Sequence, residues 1–283
     1  MIAPTLGNTM GALFIGLLVS VLLFGIICLQ AYNYYQKYPE DRAYVKIAFL
    51  LVVNAINAAL LSEGMYHYLI RNFANFAALG PYWSTNVYSF LNSFITWMCQ
   101  LFFAYRVWRV SHGNYFLTGG IICLTCTHLA FGTKTAITAF KTQNPGDLNN
   151  AVLVGMTLGS ALACDILITA SLCFFLNTKR TGFGRTDSLI NNLILYSVCT
   201  GLVTSLFAII NITVFFSMRT NLIHLGIYVL MGKLYTTSLL ATLNSRDIFR
   251  GQWSRGDHND FSTSTTKRDS NMLQSVDENS ASV

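Results

Sequence analysis

Seven apolar stretches, each long enough to cross a bilayer, take up most of the 283 residues. They run over residues 10–35, 44–66, 84–108, 115–139, 150–176, 189–216 and 221–243, where a helical span needs about 20 residues. In hydrocarbon the backbone must satisfy its own hydrogen bonds, which leaves helices or a closed barrel. Runs of this length without period-2 alternation select helices. The expected fold is all-α: a polytopic bundle of seven transmembrane helices over residues 1–243, followed by a polar cytosolic tail over 244–283 without fixed structure. Composition agrees, since 53% hydrophobic and 11% charged residues lie far from the roughly 25% charged of a soluble domain.

Thirteen of the eighteen basic residues fall in the tail and in the loops after spans one, three and five: Lys37, Arg42, Lys46, Arg106, Arg109, Lys179, Arg180, Arg185, Arg246, Arg250, Arg255, Lys267 and Arg268. The opposite loops hold Arg71, Lys141 and Arg219, and Lys134 and Lys233 lie inside spans. Short cytoplasmic loops retain Lys and Arg, so the N-terminus is expected outside and the C-terminus in the cytosol. Basic residues this dispersed, and this close to helix ends, do not make a nucleic-acid surface. The partner they imply is the lipid bilayer itself. Residues 1–9 carry no positive n-region, and the first span exceeds a signal h-region, so it is expected to stay in the mature protein.

All seven cysteines lie within spans, which leaves no pair for an extracellular bridge. Cys123 and Cys126, followed by His128, imitate a metal motif, yet small thiols in an apolar helix are packing residues. Gly155, Gly159 and Ala163 recur every four residues and predict one flat face on the fifth helix for close packing inside the bundle, a dimer face being the alternative. The outer segment 67–83 ends in Tyr82 and Trp83, placed where aromatic belts meet headgroups. Thr186 and Asp187 are expected to cap the sixth helix.

An ionisable group at mid-membrane is costly and is a functional hypothesis by default. Asp165 and Lys233 are such groups. At 1.5 Å per residue they lie roughly 16 Å and about 15 Å from the cytoplasmic ends of their spans, so equal depth makes an ion pair feasible. Asn54, Asn57, Gln100 and His128 fall near the same level, and with Asp165 and Lys233 they form the expected ligand-binding set. The bland reading of the amides is interhelical hydrogen bonding. Near the outer face Glu63 and His67 share a helical face at i and i+4, with His224 at similar height, an arrangement too sparse for a hydrolytic zinc site.

A lysine in the seventh helix is similar to the Schiff-base lysine of retinal proteins, but the third helix offers Asn92, Thr96, Trp97 and Gln100 and no acid as counter-ion. Rhodopsin-like receptors are equally poorly matched: the third helix ends Ala104-Tyr105-Arg106 and the seventh Leu243-Asn244-Ser245-Arg246. No cofactor is therefore expected. Gln30 with Tyr32, Tyr34, Tyr35 and Asp41; Gln100-Leu101-Phe102-Phe103 with Arg106 and Trp108; Asp165; Thr181-Gly182-Phe183 with Thr186-Asp187; Thr200-Gly201-Leu202-Val203-Thr204; and Lys233-Leu234-Tyr235 with Leu243-Asn244-Ser245-Arg246 form a series of separated segments. Through them the chain resembles, over residues 5–250, a fungal family of seven-helix membrane proteins known only as a domain of unknown function. That resemblance implies the architecture and carries no activity.

In the tail, Ser262 to Thr266 beside Lys267-Arg268 are potential phosphate acceptors that would alter contacts with a cytosolic partner. Residues 248–255 suit a short interfacial helix. The sequon Asn211-Ile212-Thr213 lies deep in the sixth span, out of reach of glycosylation. The function expected is a non-enzymatic, receptor-like sensor of a small molecule, in the plasma membrane, with a small-solute or proton-coupled transporter as the alternative. The missing inverted repeat and unbroken helices weigh against transport.

Overall fold

The computed structural model describes residues 10–39, 41, 43–73, 82–141, 148–178, 184–217 and 222–245, with the side chains of 148–150, 184–198 and 200 outside the description. The described residues form seven α-helices: α1 Ala12–Lys37, α2 Tyr44–Tyr66, α3 Trp83–Val110, α4 Tyr115–Lys141, α5 Leu148–Thr178, α6 Gly184–Ser217 and α7 Ile223–Asn244. A short π-helical turn, His67–Arg71, extends α2. The sequence-predicted spans match these helices to within a few residues, except that α6 starts at Gly184, five residues early. Thr186 and Asp187 consequently fall inside its first turn rather than before it. The loop residues 74–81, the segment 179–183 and the tail from 246 lie outside the described residues, along with the phosphate-acceptor run and the proposed interfacial helix.

Among the described residues, five helices are long and apolar enough to cross a membrane: Ala12–Lys37, Tyr44–Arg71, Trp83–Val110, Tyr115–Lys141 and Ala151–Thr178. Their outward faces carry large apolar side chains such as Leu18, Leu22, Leu29, Val45 and Phe116, while Asn54, Asn57, Asn92, Thr96 and Gln100 are buried. Apolar groups outside and amides inside reverse the arrangement of a water-soluble domain. The chain is an integral, multi-pass membrane protein.

Local chemistry fixes the corners. Asp41 joins α1 to α2 with one carboxylate: Oδ2 accepts the Tyr34 hydroxyl at 2.5 Å and Oδ1 accepts the Ala43 N–H at 3.1 Å. Between α3 and α4 the chain reverses through left-handed residues, His112 at φ 56° and Gly113 at φ 82°. The Gly113 N–H returns to Trp108 O at 3.1 Å, closing the last turn of α3. Asn114 then caps α4 through Oδ1 and the Leu117 N–H at 3.2 Å.

The chain divides into two units, Met1–Thr242 and Leu243–Val283; apart from the last two residues of α7, the helices lie in the first. There α1 packs on α2, α2 on α3, α3 on α4 and α5, α4 on α5, and α5 on α6. Helix α7 touches α2, α3 and α5 through side-chain hydrogen bonds and meets α1 backbone to backbone. A Cβ added to Gly16 would sit 2.8 Å from Gly226 O, and one added to Gly226 would sit 2.7 Å from Ala12 O. Only glycine permits that approach. From Met231 to Leu240, α7 is buried on almost every side. A helix surrounded by protein tolerates Lys233 and a hydroxyl run, Tyr235 to Ser238, that a lipid-facing helix would not.

The close packing the sequence predicts for the flat face on α5 is used at one end only. A Cβ on Gly159 meets nothing within 4 Å, and one on Gly155 meets only the ring of Phe216 at 3.2 Å. Ala163 is exposed. The close helix crossing uses Gly16 and Gly226 instead.

Candidate functional site

The six residues expected to form one polar pocket occupy three separate places. Lys233 is 1% exposed, and its ammonium donates to three neutral oxygens: Asn54 O at 3.0 Å, Asn54 Oδ1 at 3.1 Å and Asn57 Oδ1 at 3.1 Å. An ammonium has three protons to donate, and all three are used. Asn54 and Asn57, one turn apart on α2, present both amides to the same point. Their NH₂ groups are anchored in turn: Asn54 Nδ2 donates to Leu50 O at 2.9 Å and Thr236 Oγ1 at 3.1 Å, and Asn57 Nδ2 to Tyr88 O at 3.3 Å. The Phe24 ring centroid lies 5.5 Å from Nζ, within cation–π range.

Asp165, on α5, has its own partners. Tyr235 OH donates to Oδ2 at 2.5 Å and Gln100 Nε2 to Oδ1 at 3.3 Å. Tyr235 follows Lys233 by two residues, about 200° around α7, so one helix presents a lysine to α2 and a phenol to α5. Equal depth made an ion pair between Asp165 and Lys233 feasible; the rotation of α7 places them in different networks.

A cavity of about 20 Å³ adjoins the carboxylate, walled by Phe103, Thr169, Thr204, Tyr235 and Ser238 among others. That is room for one water-sized guest. The Gln100 side-chain oxygen is buried without a hydrogen-bond partner. The lysine network is closed by its hydrogen bonds, whereas the carboxylate borders a small cavity whose mainly apolar walls include hydroxyl residues.

His128 stands apart, its Nδ1 3.0 Å from Thr157 O and its Nε2 buried without a partner. Cys123 and Cys126 are exposed on α4 while His128 is buried, so the imitation of a metal motif ends at the sequence. At the far end of α2, Tyr82 OH donates to Glu63 Oε1 at 2.8 Å. His67 stacks on the Tyr82 ring at 3.7 Å and meets Asn72 Nδ2 through Nε2 at 3.0 Å. The hydrogen bond to Glu63 pushes the Tyr82 phenol above its usual range. His224 packs against Phe215 at 5.1 Å instead, so the three residues expected around one mouth split into two groups.

Tyr235 and Thr204 are the residues that reasoning from charge missed, because neither is ionised near neutrality. Both stand in segments that carried the family resemblance, Lys233-Leu234-Tyr235 and Thr200 to Thr204. No curated protein and no solved structure matches the chain. A model described as a family of unknown function (DUF6534) matches residues 161–248, a stretch that holds Asp165, Thr204, Lys233 and Tyr235 and leaves out Asn54, Asn57, Gln100 and His128. Over those residues the chain is similar to a domain of unknown function.

Proposed function

We propose that this protein is a receptor-like sensor: a seven-span bundle of the fungal type its segments resemble, with the N-terminus outside and the tail in the cytosol, in the plasma membrane. The observation that carries this reading is the asymmetry between the two buried ionisable groups. Lys233 is saturated by fixed amide oxygens, which suits a rigid wall, and Asp165 borders a guest-sized space, which suits a responsive element. A guest that changes the hydrogen bonds of Asp165, Tyr235 and Gln100 would change how α5, α7 and α3 meet, and such a change is what a sensor transmits. The role is non-enzymatic, and the cytosolic partner is one that reads the tail.

A proton-coupled transporter is the second reading, favoured by a carboxylate with hydroxyls around it at mid-membrane. The described helices run unbroken beside it, where transporters of the inverted-repeat type use broken ones, which puts sensing first. The test is proton flux in liposomes under an imposed pH gradient, for the wild type beside Asp165→Asn and Lys233→Met. The expected result is no flux in any of the three, with small-molecule stabilisation of the purified wild type lost in Asp165→Asn. Wild-type flux that disappears in Asp165→Asn would overturn the sensor in favour of the transporter.

A further inference from the structure

Asp165 is 5% exposed, and its hydrogen-bond donors, Tyr235, Gln100 and Thr204, are all neutral. The lysine that shares its depth spends all its protons on Asn54 and Asn57. A buried carboxylate with neutral donors alone leaves one negative charge uncompensated in a low-dielectric bundle, a costly state unless a cation joins it. The mainly apolar walls of the space beside it include four hydroxyl residues, Thr169, Thr204, Tyr235 and Ser238. Hard cations take carboxylate and neutral oxygen ligands, not thiolates or imidazoles.

We propose that the cavity between α3, α5, α6 and α7 is a binding site for a monovalent alkali cation, held by the Asp165 carboxylate and the hydroxyls of Thr169, Thr204 and Ser238. One carboxylate balances one positive charge, so a monovalent ion leaves the site neutral and a divalent ion leaves it positive. Calcium also takes six to eight oxygens, and magnesium keeps several of its waters; a cavity of about 20 Å³ admits a single water-sized guest. The proton, the other monovalent candidate, needs only one acceptor, and a sodium dependence at constant pH tells the two apart. The inference rests on the reading of Asp165 as the functional centre and makes the cation its resident ligand.

The test uses the purified full-length protein at pH 8 and constant ionic strength, with NaCl replacing choline chloride up to about 150 mM. Thermal unfolding is recorded for the wild type, Asp165→Asn, Ser238→Ala and Glu63→Gln. A ligand that binds only the folded state raises the midpoint with its concentration, so a rise of about 3–6 °C is expected for the wild type. It should be unchanged in Glu63→Gln, reduced at least by half in Ser238→Ala and absent in Asp165→Asn. Ser238→Ala removes one oxygen and no charge, so it keeps the test decisive if Asp165→Asn does not fold. A flat wild-type titration, an equal rise in Asp165→Asn, a rise lost in Glu63→Gln or an undiminished rise in Ser238→Ala would each overturn the site. Failure here with no proton flux leaves the sensor standing without its cation, and a sodium-dependent rise alongside proton flux removes the sensor and keeps the site.

Discussion

Helix α7 carries two polar side chains two residues apart, and its two flanks treat them oppositely. On the α2 flank, Lys233 is enclosed by three neutral acceptors within 3.1 Å, and the amides that supply them are anchored to Leu50, Thr236 and Tyr88. On the α5 flank, Tyr235, Gln100 and Thr204 hold a carboxylate beside a small cavity. A buried charge whose every hydrogen bond is met locally has no remaining capacity to respond to a guest. A buried charge beside space retains that capacity. The comparison separates scaffold from site on one helix, which neither charge nor depth alone can do.

The largest effect should come from opening the closed flank. Asn57→Leu removes an acceptor from a buried ammonium and a donor from Tyr88 O at once. Unpairing a buried charge costs far more than replacing the whole network by apolar groups. A loss of about 3 kcal/mol is expected in detergent unfolding, with most of it recovered when Lys233→Met is added in the same chain. An Asn57→Leu protein as stable as the wild type would mean that the α2 flank does not hold the lysine.

The helices and the buried charges were legible in the sequence because each is a property of one segment: a run of apolar residues, a lysine or an aspartate in the middle of it. The i, i+3 spacing of Asn54 and Asn57 likewise put both on one face, and both reach Lys233. What could not be read was the rotation of α7 about its axis, which decides whether Lys233 turns to α5 or to α2. That rotation depends on packing between distant segments, such as the glycine crossing of α1 with α7 and the Tyr88 hydroxyl on Val229 O at 3.1 Å. The four-residue repeat on α5 is used only at Gly155, against Phe216, for the same reason: small residues permit close approach, but only a neighbour on that side makes use of it. His128 was expected among the other polar groups and stands apart from them, since depth is a coordinate along the helix and company is set across it.

Filling the open flank should cost less stability and more response. A Cβ on Gly201 would lie 1.9 Å from Thr169 Oγ1, so Gly201→Ala must displace a side chain that walls the cavity. Overpacking of this kind costs about 1–3 kcal/mol. The sodium-dependent rise in unfolding midpoint should fall with it, while Asn57→Leu, though less stable, should keep that rise. If the two variants lose the rise equally, the flanks are not independent.

Smaller again is the coupling inside the open flank. Tyr235→Phe removes the donor and Asp165→Ala the acceptor of the 2.5 Å hydrogen bond, so a double-mutant cycle should show them coupled by about 1 kcal/mol, the scale of polar contacts between membrane helices. An additive pair would mean that the bond contributes nothing to stability.

The smallest expected effect is the most informative about the comparison itself. Asp165 and Lys233 are opposite charges at similar depth, and direct pairing would couple them strongly at low dielectric. They instead have no hydrogen-bond partner in common, and α7 stands between their networks. Distant sites without shared partners add to within about 0.5 kcal/mol, so Asp165→Asn and Lys233→Met should be additive to that margin in unfolding measurements. A double mutant markedly more stable than the sum of the singles predicts would reveal a long-range attraction that hydrogen bonding does not report, and would join the two flanks into one site. Additivity would leave the lysine as a wall and the carboxylate as the element that answers to a guest, because only groups sharing an energy term can be switched together.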